Sequence, residues 1–153
     1  MLLDERFAKA YETFDRAVDA VDQSVMTAAD PSSGEQWDLT HVLGHVSEML
    51  EFWLVEVLRV LAHGPDEPFG RLKTSPERIE RIEHSAKLSV EELRHQINMR
   101  AAATIDLCRI LTPEQLERRG MHPKFGPMSV EAILVEFGVD HLVEHAEQLV
   151  GAP

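Results

Sequence analysis

The chain has 153 residues, of which 44% are hydrophobic and 27% charged, and its formal net charge is −12. This size and composition are typical of a single globular domain, expected over residues 1–153, that buries a core without disulfides. The acidic balance argues against nucleic acid as a partner, because phosphate backbones are repelled. A single cysteine, an acidic N-terminus and the lack of a long apolar run favour a cytoplasmic protein with no membrane partner.

Four long segments carry apolar residues at helical spacing, and no segment shows the alternation of a strand. The predicted long helices cover about 4–28, 39–62, 89–110 and 129–150. An N-cap at Asp38 or Thr40 is expected to start the second helix, and Ser89 and Ser129 are expected to start the third and fourth.

The connections between these helices are predicted from their glycine, proline and serine content. Residues 30–34 and 120–127 are expected to be loops. Short helices are expected at Pro76 and Pro113, where proline occupies a first helical position. The pattern predicts an all-α four-helix bundle with a long connection between the second and third long helices.

His141 and His145 lie four residues apart in the fourth long segment. On a helix this spacing places both imidazoles on one face, one turn apart, where they can bind one divalent cation. Both residues continue the apolar stripe of the predicted helix, where polar groups need partners. The alternative is a pair of histidines with local hydrogen bonds and no metal.

A third ligand would have to come from another element. His45 borders the inner stripe of the second long helix and is the first candidate. His41, one turn earlier, is a weaker candidate because it lies nearer the helix start. Glu48 is either a further ligand, an acceptor that orients an imidazole, or a solvated charge. His122 either structures the loop over 120–127 or lies at the mouth of the site.

Several motifs occur in a recognisable order along the chain. They are Trp37 followed by His41-Val-Leu-Gly-His45, a loop Gly-x-His-Pro-x-Phe-Gly-Pro over 120–127, a serine-led helix, and Asp-His-x-x-x-His-x-x-Gln over 140–148. Together they resemble the DinB-like superfamily, whose relatives include bacterial small-thiol transferases that use bacillithiol or mycothiol. The resemblance covers nearly the whole chain.

The resemblance implies a four-helix bundle that is often a homodimer. It also implies a divalent metal ion, zinc or nickel, held by three histidines, which are His45, His141 and His145 in this chain. His41 is an extra imidazole at a position where the family pattern places no ligand.

Three nitrogen ligands leave part of a metal's coordination sphere open, which is typical of catalytic sites. The first hypothesis is therefore a metal-dependent enzyme that transfers a low-molecular-weight thiol to a small-molecule substrate, with water as the alternative nucleophile. Arg100 and Lys124 are candidate cations for the thiol's acidic groups, and Asp140 and Glu144 are candidates to orient the imidazoles.

Two other hypotheses do not involve catalysis. One is a metal-binding bundle that acts in a stress response or as an interaction module. The other is a bundle without metal, in which the histidines remain as polar groups of the core.

Overall fold

The structure is a computed structural model that describes residues 1–29, 31 and 34–152. In chain order its elements are α1 (Leu3–Ala20), α2 (Leu39–His63), α3 (Pro76–Ser85), α4 (Val90–Ile110), α5 (Pro113–Glu117), β1 (Arg119–His122), β2 (Gly126–Ser129), α6 (Val130–Leu134), a π-helical turn (Val135–Val139) and α7 (Asp140–Val150). The rods of the bundle are α1, α2, α4 and the continuous run from α6 to α7. Within the described ranges, no helix combines the length and apolar character that crossing a membrane requires.

The predicted helix starts are confirmed by their capping hydrogen bonds. The carboxylate of Asp38 accepts a hydrogen bond of 2.9 Å from the His41 amide. Ser89 and Glu92 form a reciprocal capping box at the start of α4, and Ser129 accepts from the Ala132 amide at the start of α6. These side chains satisfy amides that would otherwise lack partners in the first turn.

The first helix is shorter than the apolar pattern predicts, because it ends at Ala20 instead of continuing to residue 28. The carboxylate of Asp22 accepts hydrogen bonds from the amide and hydroxyl of Ser24, and such a local turn competes with the helix. Val21 and Val25 nevertheless pack against the core. Their spacing therefore reflects packing of an irregular segment and not a continued helix.

The prediction that no segment forms a strand is wrong, because the structure contains a short hairpin. Part of the predicted loop over 120–127 belongs to an antiparallel hairpin in which Arg119 faces Ser129 and His122 faces Gly126. Gly126 adopts a φ of +70°, which glycine tolerates at a tight turn. The other predicted loop, over 30–34, lies largely outside the described residues.

The core lies between the four rods, with α1 packed on α7 and α4, and α2 packed on α4 and α3. The largest side chains that are less than 2% exposed are Phe7, Phe14, Leu43, Met49, Leu93, Ile97, Ile133, Leu142 and Leu149. Trp53 contacts both the main cluster and a second cluster near the hairpin, which joins the two halves of the interior. The predicted four-helix bundle with a long second connection is confirmed.

The π-helical turn changes which face of the last helix is buried. Up to the middle of the turn, the apolar stripe follows the predicted positions, with Ile133 in α6 and Phe137 within the turn. After the turn, the fully buried positions are Leu142, Ala146 and Leu149. Since these positions are one residue later than a continuous α-helix would give, the two histidines lie beside the core stripe, partly exposed, and not within it.

Candidate metal centre

The fold brings His45, His141 and His145 together, although they come from helices nearly a hundred residues apart. The ring centroids of His45 and His145 are 4.7 Å apart, and those of His141 and His145 are 6.1 Å apart. His45 is only 7% exposed. Aromatic rings enclose the cluster, with Trp37 at 5.2 Å from the His45 ring and Phe137 at 5.9 Å from the His141 ring.

The ring nitrogens of the cluster differ in whether they form a hydrogen bond. Nδ1 of His145 lies 2.9 Å from Oε1 of Gln148, which can only accept, so Nδ1 carries the proton and Nε2 keeps a free lone pair. Nδ1 of His45 and Nδ1 of His141 are buried and have no hydrogen-bond partner among the residues that the structure describes. Buried polar atoms without partners are rare, and a missing ion is one explanation for them.

All three imidazoles are held in the neutral form. Burial is the main cause in each case, because removal from water disfavours the charged ring. It lowers the pKa of His141 to about 4, with the nearby His145 adding to the effect, while the Phe137 carbonyl opposes it without making a hydrogen bond of normal geometry to Nδ1. The pKa values of His45 and His145 are lowered for the same reason. Neutral rings have the lone pairs that metal coordination needs.

The donor chemistry fits a divalent metal, but the side chains are not yet arranged around one point. Among the described residues, no group of three His, Cys, Asp or Glu side chains forms a ligand set. With metal–nitrogen bonds of about 2.1 Å, ring centroids would lie roughly 5 Å apart. The observed 4.7 and 6.1 Å are on either side of this value. Two of the three ring separations in the cluster are therefore within about 1 Å of the value expected around one metal ion.

The two other candidates on α2 have partners of their own. His41 lies between the carboxylates of Asp38, at 2.8 Å, and Glu83, at 3.3 Å. Glu48, which is 5% exposed, receives two hydrogen bonds of 2.5 Å from Arg71, so it is not a solvated charge. Neither side chain is available as a ligand in this arrangement.

His122 structures the hairpin. Its Nδ1 accepts hydrogen bonds from the amides of Lys124 and Phe125, which closes the turn between β1 and β2. Its ring also stacks on Phe137 at 5.5 Å, and Phe137 in turn contacts His141. Of the two roles left open for His122, these hydrogen bonds show the structural one, and an aromatic contact also links the hairpin to the histidine cluster.

The residues that orient the cluster were only partly anticipated. Within the described ranges, Asp140 and Glu144 make no hydrogen bond or ion pair with the imidazoles, and Gln148 holds His145 instead. Gln148 belongs to the terminal motif over 140–148, but its contact with His145 was not predicted. A spacing of three residues on a helix was the signal that could have identified it.

The cations beside the site are also different from those predicted. Arg100 binds Ser47 and Glu51, and Lys124 lies over the Phe125 ring. The positive charges that act on the imidazoles belong instead to Arg71, Lys73 and Arg78, all in the connection between α2 and α4. Sequence alone could not show this, because the path of that connection is set by tertiary contacts.

Three contacts fix this connection along the His45 side of α2. Near the start of α2, His41 meets Glu83 of α3. One residue before His45, a Cβ on Gly44 would lie only 3.0 Å from the Ala86 backbone, so a larger residue would require that backbone to shift. One turn after His45, Glu48 binds Arg71. The connection therefore forms one wall of the histidine cluster.

The imidazoles of the cluster range from buried to partly exposed. Two surface depressions, of about 370 and 500 Å³, lie elsewhere. The first is beside the hairpin, and the second is between the end of α1 and the end of α7. Neither is lined by any of the three imidazoles.

Comparison with known families identifies the fold. The family model of the DinB superfamily matches residues 6–149. The chain belongs to the DinB superfamily. This confirms the resemblance found in the sequence, and the match includes all three histidines of the cluster.

Solved structures of the same fold are distant in sequence. YfiT from Bacillus subtilis, a probable metal-dependent hydrolase with an unusual four-helix bundle topology, matches with a TM-score of 0.73 and 14% identity, over 96% of this chain and 83% of YfiT. A mycothiol-dependent maleylpyruvate isomerase matches with a TM-score of 0.72 and 19% identity, over 99% of this chain but only 62% of the isomerase.

A third solved structure has a different partner. The colibactin self-resistance protein ClbS, in complex with double-stranded DNA, matches with a TM-score of 0.72 and 9% identity, over 97% of this chain and 91% of ClbS. No curated protein sequence matches this chain significantly. At these identities the three structures establish a common fold.

Proposed function

We propose that His45, His141 and His145 of this DinB superfamily protein bind one divalent metal ion, zinc or nickel, and that the protein is a metal-dependent enzyme. The observation that supports this is the meeting of three neutral imidazoles, two of which have a buried Nδ1 without a partner. The relative YfiT, described as a probable metal-dependent hydrolase, supports the metal part of the proposal.

Each residue of the cluster has a definite part in this proposal. Burial keeps the imidazoles neutral, so that metal and protons do not compete for them near neutral pH. Gln148 fixes the tautomer of His145 and leaves Nε2 free. The rings of Trp37 and Phe137 exclude water from two sides of the cluster.

A divalent cation with three nitrogen ligands would act as a Lewis acid toward a fourth ligand, either a thiol or water. We favour a low-molecular-weight thiol and an S-transfer reaction on a small-molecule substrate. Positive charges beside the imidazoles can hold a thiol's acidic groups, and one relative of this fold is mycothiol-dependent. A single-domain homodimer is part of the same proposal and can be checked by light scattering.

One observation favours a second candidate, a metal-binding bundle without catalysis. Neither surface depression lies over the imidazoles, whereas an enzyme needs room for its substrate. Turnover of model electrophiles, measured with saturating thiol and metal present, separates the candidates. A rate at background would favour the second.

The first experiment is the metal content of protein purified without a histidine tag. We expect about one zinc or nickel ion per chain, and loss of that ion in His141→Ala. His84→Ala is the matched control, since His84 is exposed and lies outside the cluster. Gln148→Ala should weaken binding by about 10- to 100-fold, because an oriented ligand loses its support. A parent that takes up neither metal would disprove the proposal.

A further inference from the structure

Positive charge is concentrated beside the histidine cluster of an otherwise acidic protein. Arg71, Lys73 and Arg78 lie in the connection that forms one wall of the cluster. The net charge of the chain is −12, so an anion gains little from the molecule as a whole. A local group of cations therefore attracts an anion that binds close to it, although the molecule as a whole does not.

Arg71 is already neutralised within the fold. Its guanidinium makes a two-pronged ion pair with Glu48 and lies 3.8 Å over the Phe52 ring. This is the arrangement of a structural arginine, with its donors paired and its flat face stacked. It leaves little capacity for a ligand.

Arg78, in contrast, has donors to spare. It is partly buried, and the described hydrogen bond from its guanidinium goes to the Lys73 carbonyl at 3.2 Å. Among the described residues, no carboxylate lies within 4 Å of it as an ion-pair partner. Burial, and then the neighbouring Arg71, lower the pKa of Arg78, while the charges of Glu48 and Glu35 oppose this. A guanidinium partly removed from water without a direct ion pair gains free energy when an anion binds.

Arg78 lies on α3, which packs against the His45 side of α2, and its charge contributes to the lowered pKa of each imidazole of the cluster. An anionic group bound to Arg78 would therefore lie next to the atoms that are proposed to hold the metal. The planar fork of a guanidinium matches the two oxygens of a carboxylate. Lys73, which is exposed, adds a second positive charge on the same side.

We propose that Arg78, assisted by Lys73, binds a carboxylate of the substrate, so that the substrate is a small thiol or electrophile that carries a carboxylate close to its reacting atom. This inference rests on the proposed function for the role of the site. The interaction between Arg78 and a carboxylate can be measured without catalysis.

The test uses two probes that differ only at one end, 3-mercaptopropionate and 3-mercaptopropan-1-ol. Their dissociation constants are measured by calorimetry on the zinc-loaded protein. We expect the parent to prefer the carboxylate by about tenfold, as for one charge-assisted bidentate contact. Arg78→Gln should bring the ratio close to one. Arg81→Gln, which removes the same charge from an exposed position on the same helix, should leave it within about twofold.

A second measurement separates failure of this inference from failure of the metal site. Propionate and 1-propanol are titrated into metal-free protein, and binding is followed by amide chemical shifts around Arg78. A preference for propionate that is lost in Arg78→Gln supports the inference even if zinc does not bind. Arg78→Lys, which keeps the charge but not the fork, should retain part of the preference. An unchanged preference in Arg78→Gln, or none in the parent, would overturn the inference.

Discussion

His41 and His45 are one turn apart on α2, yet their surroundings favour opposite charge states. His45 is buried among aromatic rings and other imidazoles, which lower its pKa. Burial also opposes the charge of His41, but hydrogen bonds with Asp38 and Glu83 outweigh it and raise the pKa of His41. One imidazole is suited to metal coordination, and the other to an ion pair that holds α3 against α2.

This difference predicts a pH dependence for the metal-free protein. Because the folded-state pKa of His41 is raised above 6.5, its contribution is complete below pH 6.5 and is lost as the pH rises through the folded-state value. The partly exposed pair should contribute no more than about 1 kcal/mol. We expect the gap in urea midpoint between the parent and His41→Gln to be larger at pH 6 than at pH 8.5. A gap that grows with pH would contradict the assignment.

The individual residues of the site also show how much of it could be predicted from the sequence. Spacing singled out His141 and His145, because a regular helix fixes which residues share a face. Periodicity made His45 the first candidate for a third ligand, and the family resemblance implied the set of three. The sequence could not predict the ion pair between Glu48 and Arg71, or the position of Arg78 beside the cluster. Both depend on the path of a connection without regular apolar spacing. Whether the three histidines coordinate a metal stays a prediction.

At the scale of elements, the π-helical turn between α6 and α7 decides how the last rod packs. Gly138 lies in this turn and faces Phe7 of α1, and a Cβ at Gly138 would lie only 2.5 Å from Cε2 of that ring. The close approach depends on glycine, because any side chain would push the ring or the helix away. The turn and α1 are therefore fitted to each other.

The fit between the turn and α1 can be measured by a double-mutant cycle. We expect Gly138→Ala to destabilise the protein by about 1–3 kcal/mol, as for an overpacked core position. Phe7→Leu removes the ring atoms that the new methyl group meets. The double variant should therefore be at least about 0.5 kcal/mol more stable than the sum of the single changes, in urea unfolding. Strict additivity would show that the two residues do not press on each other.

Helix starts were predicted correctly where a capping side chain lies within a few residues of the amide that it binds. The caps at Asp38, Ser89 and Ser129 were found because a side chain three residues from its amide partner is visible in sequence. The end of α1 at Ala20 was missed because Val21 and Val25 keep apolar spacing outside a helix. The hairpin was missed since its strands, of four residues each, are held by contacts with residues 67–69 as well as with each other.

At the scale of the whole molecule, net charge bears on the choice of partner. One relative of this fold was solved with double-stranded DNA, but it shares 9% identity with this chain. A net charge of −12 disfavours the phosphate contacts that supply most of the affinity for a duplex. The cations beside the histidine cluster are few, and Arg71 is already paired. A small anion suits them better than a duplex does.

We therefore expect no measurable binding of a labelled 20-base-pair duplex at about 0.15 M salt. Non-specific binders reach dissociation constants of about 10⁻⁴ to 10⁻⁶ M under such conditions, and this protein should be weaker. Fluorescence anisotropy of the labelled duplex measures its binding to the protein, with the Arg78→Gln variant as a control. Saturable binding below about 1 μM that is weakened by the variant would assign the cation group to DNA.

The π-helical turn decides where the imidazoles of α7 lie relative to the core. In an uninterrupted α-helix the apolar stripe of α6 would continue at His141 and His145, and the turn moves it on to Leu142, Ala146 and Leu149. The turn holds one residue more than a regular α-helix needs, so loss of one residue there would leave Leu142, Ala146 and Leu149 on the stripe and the imidazoles beside the core. A change that straightened the turn without removing a residue would instead rotate everything downstream by about 100°. The imidazoles would then enter the core, and the site would be lost with no histidine altered.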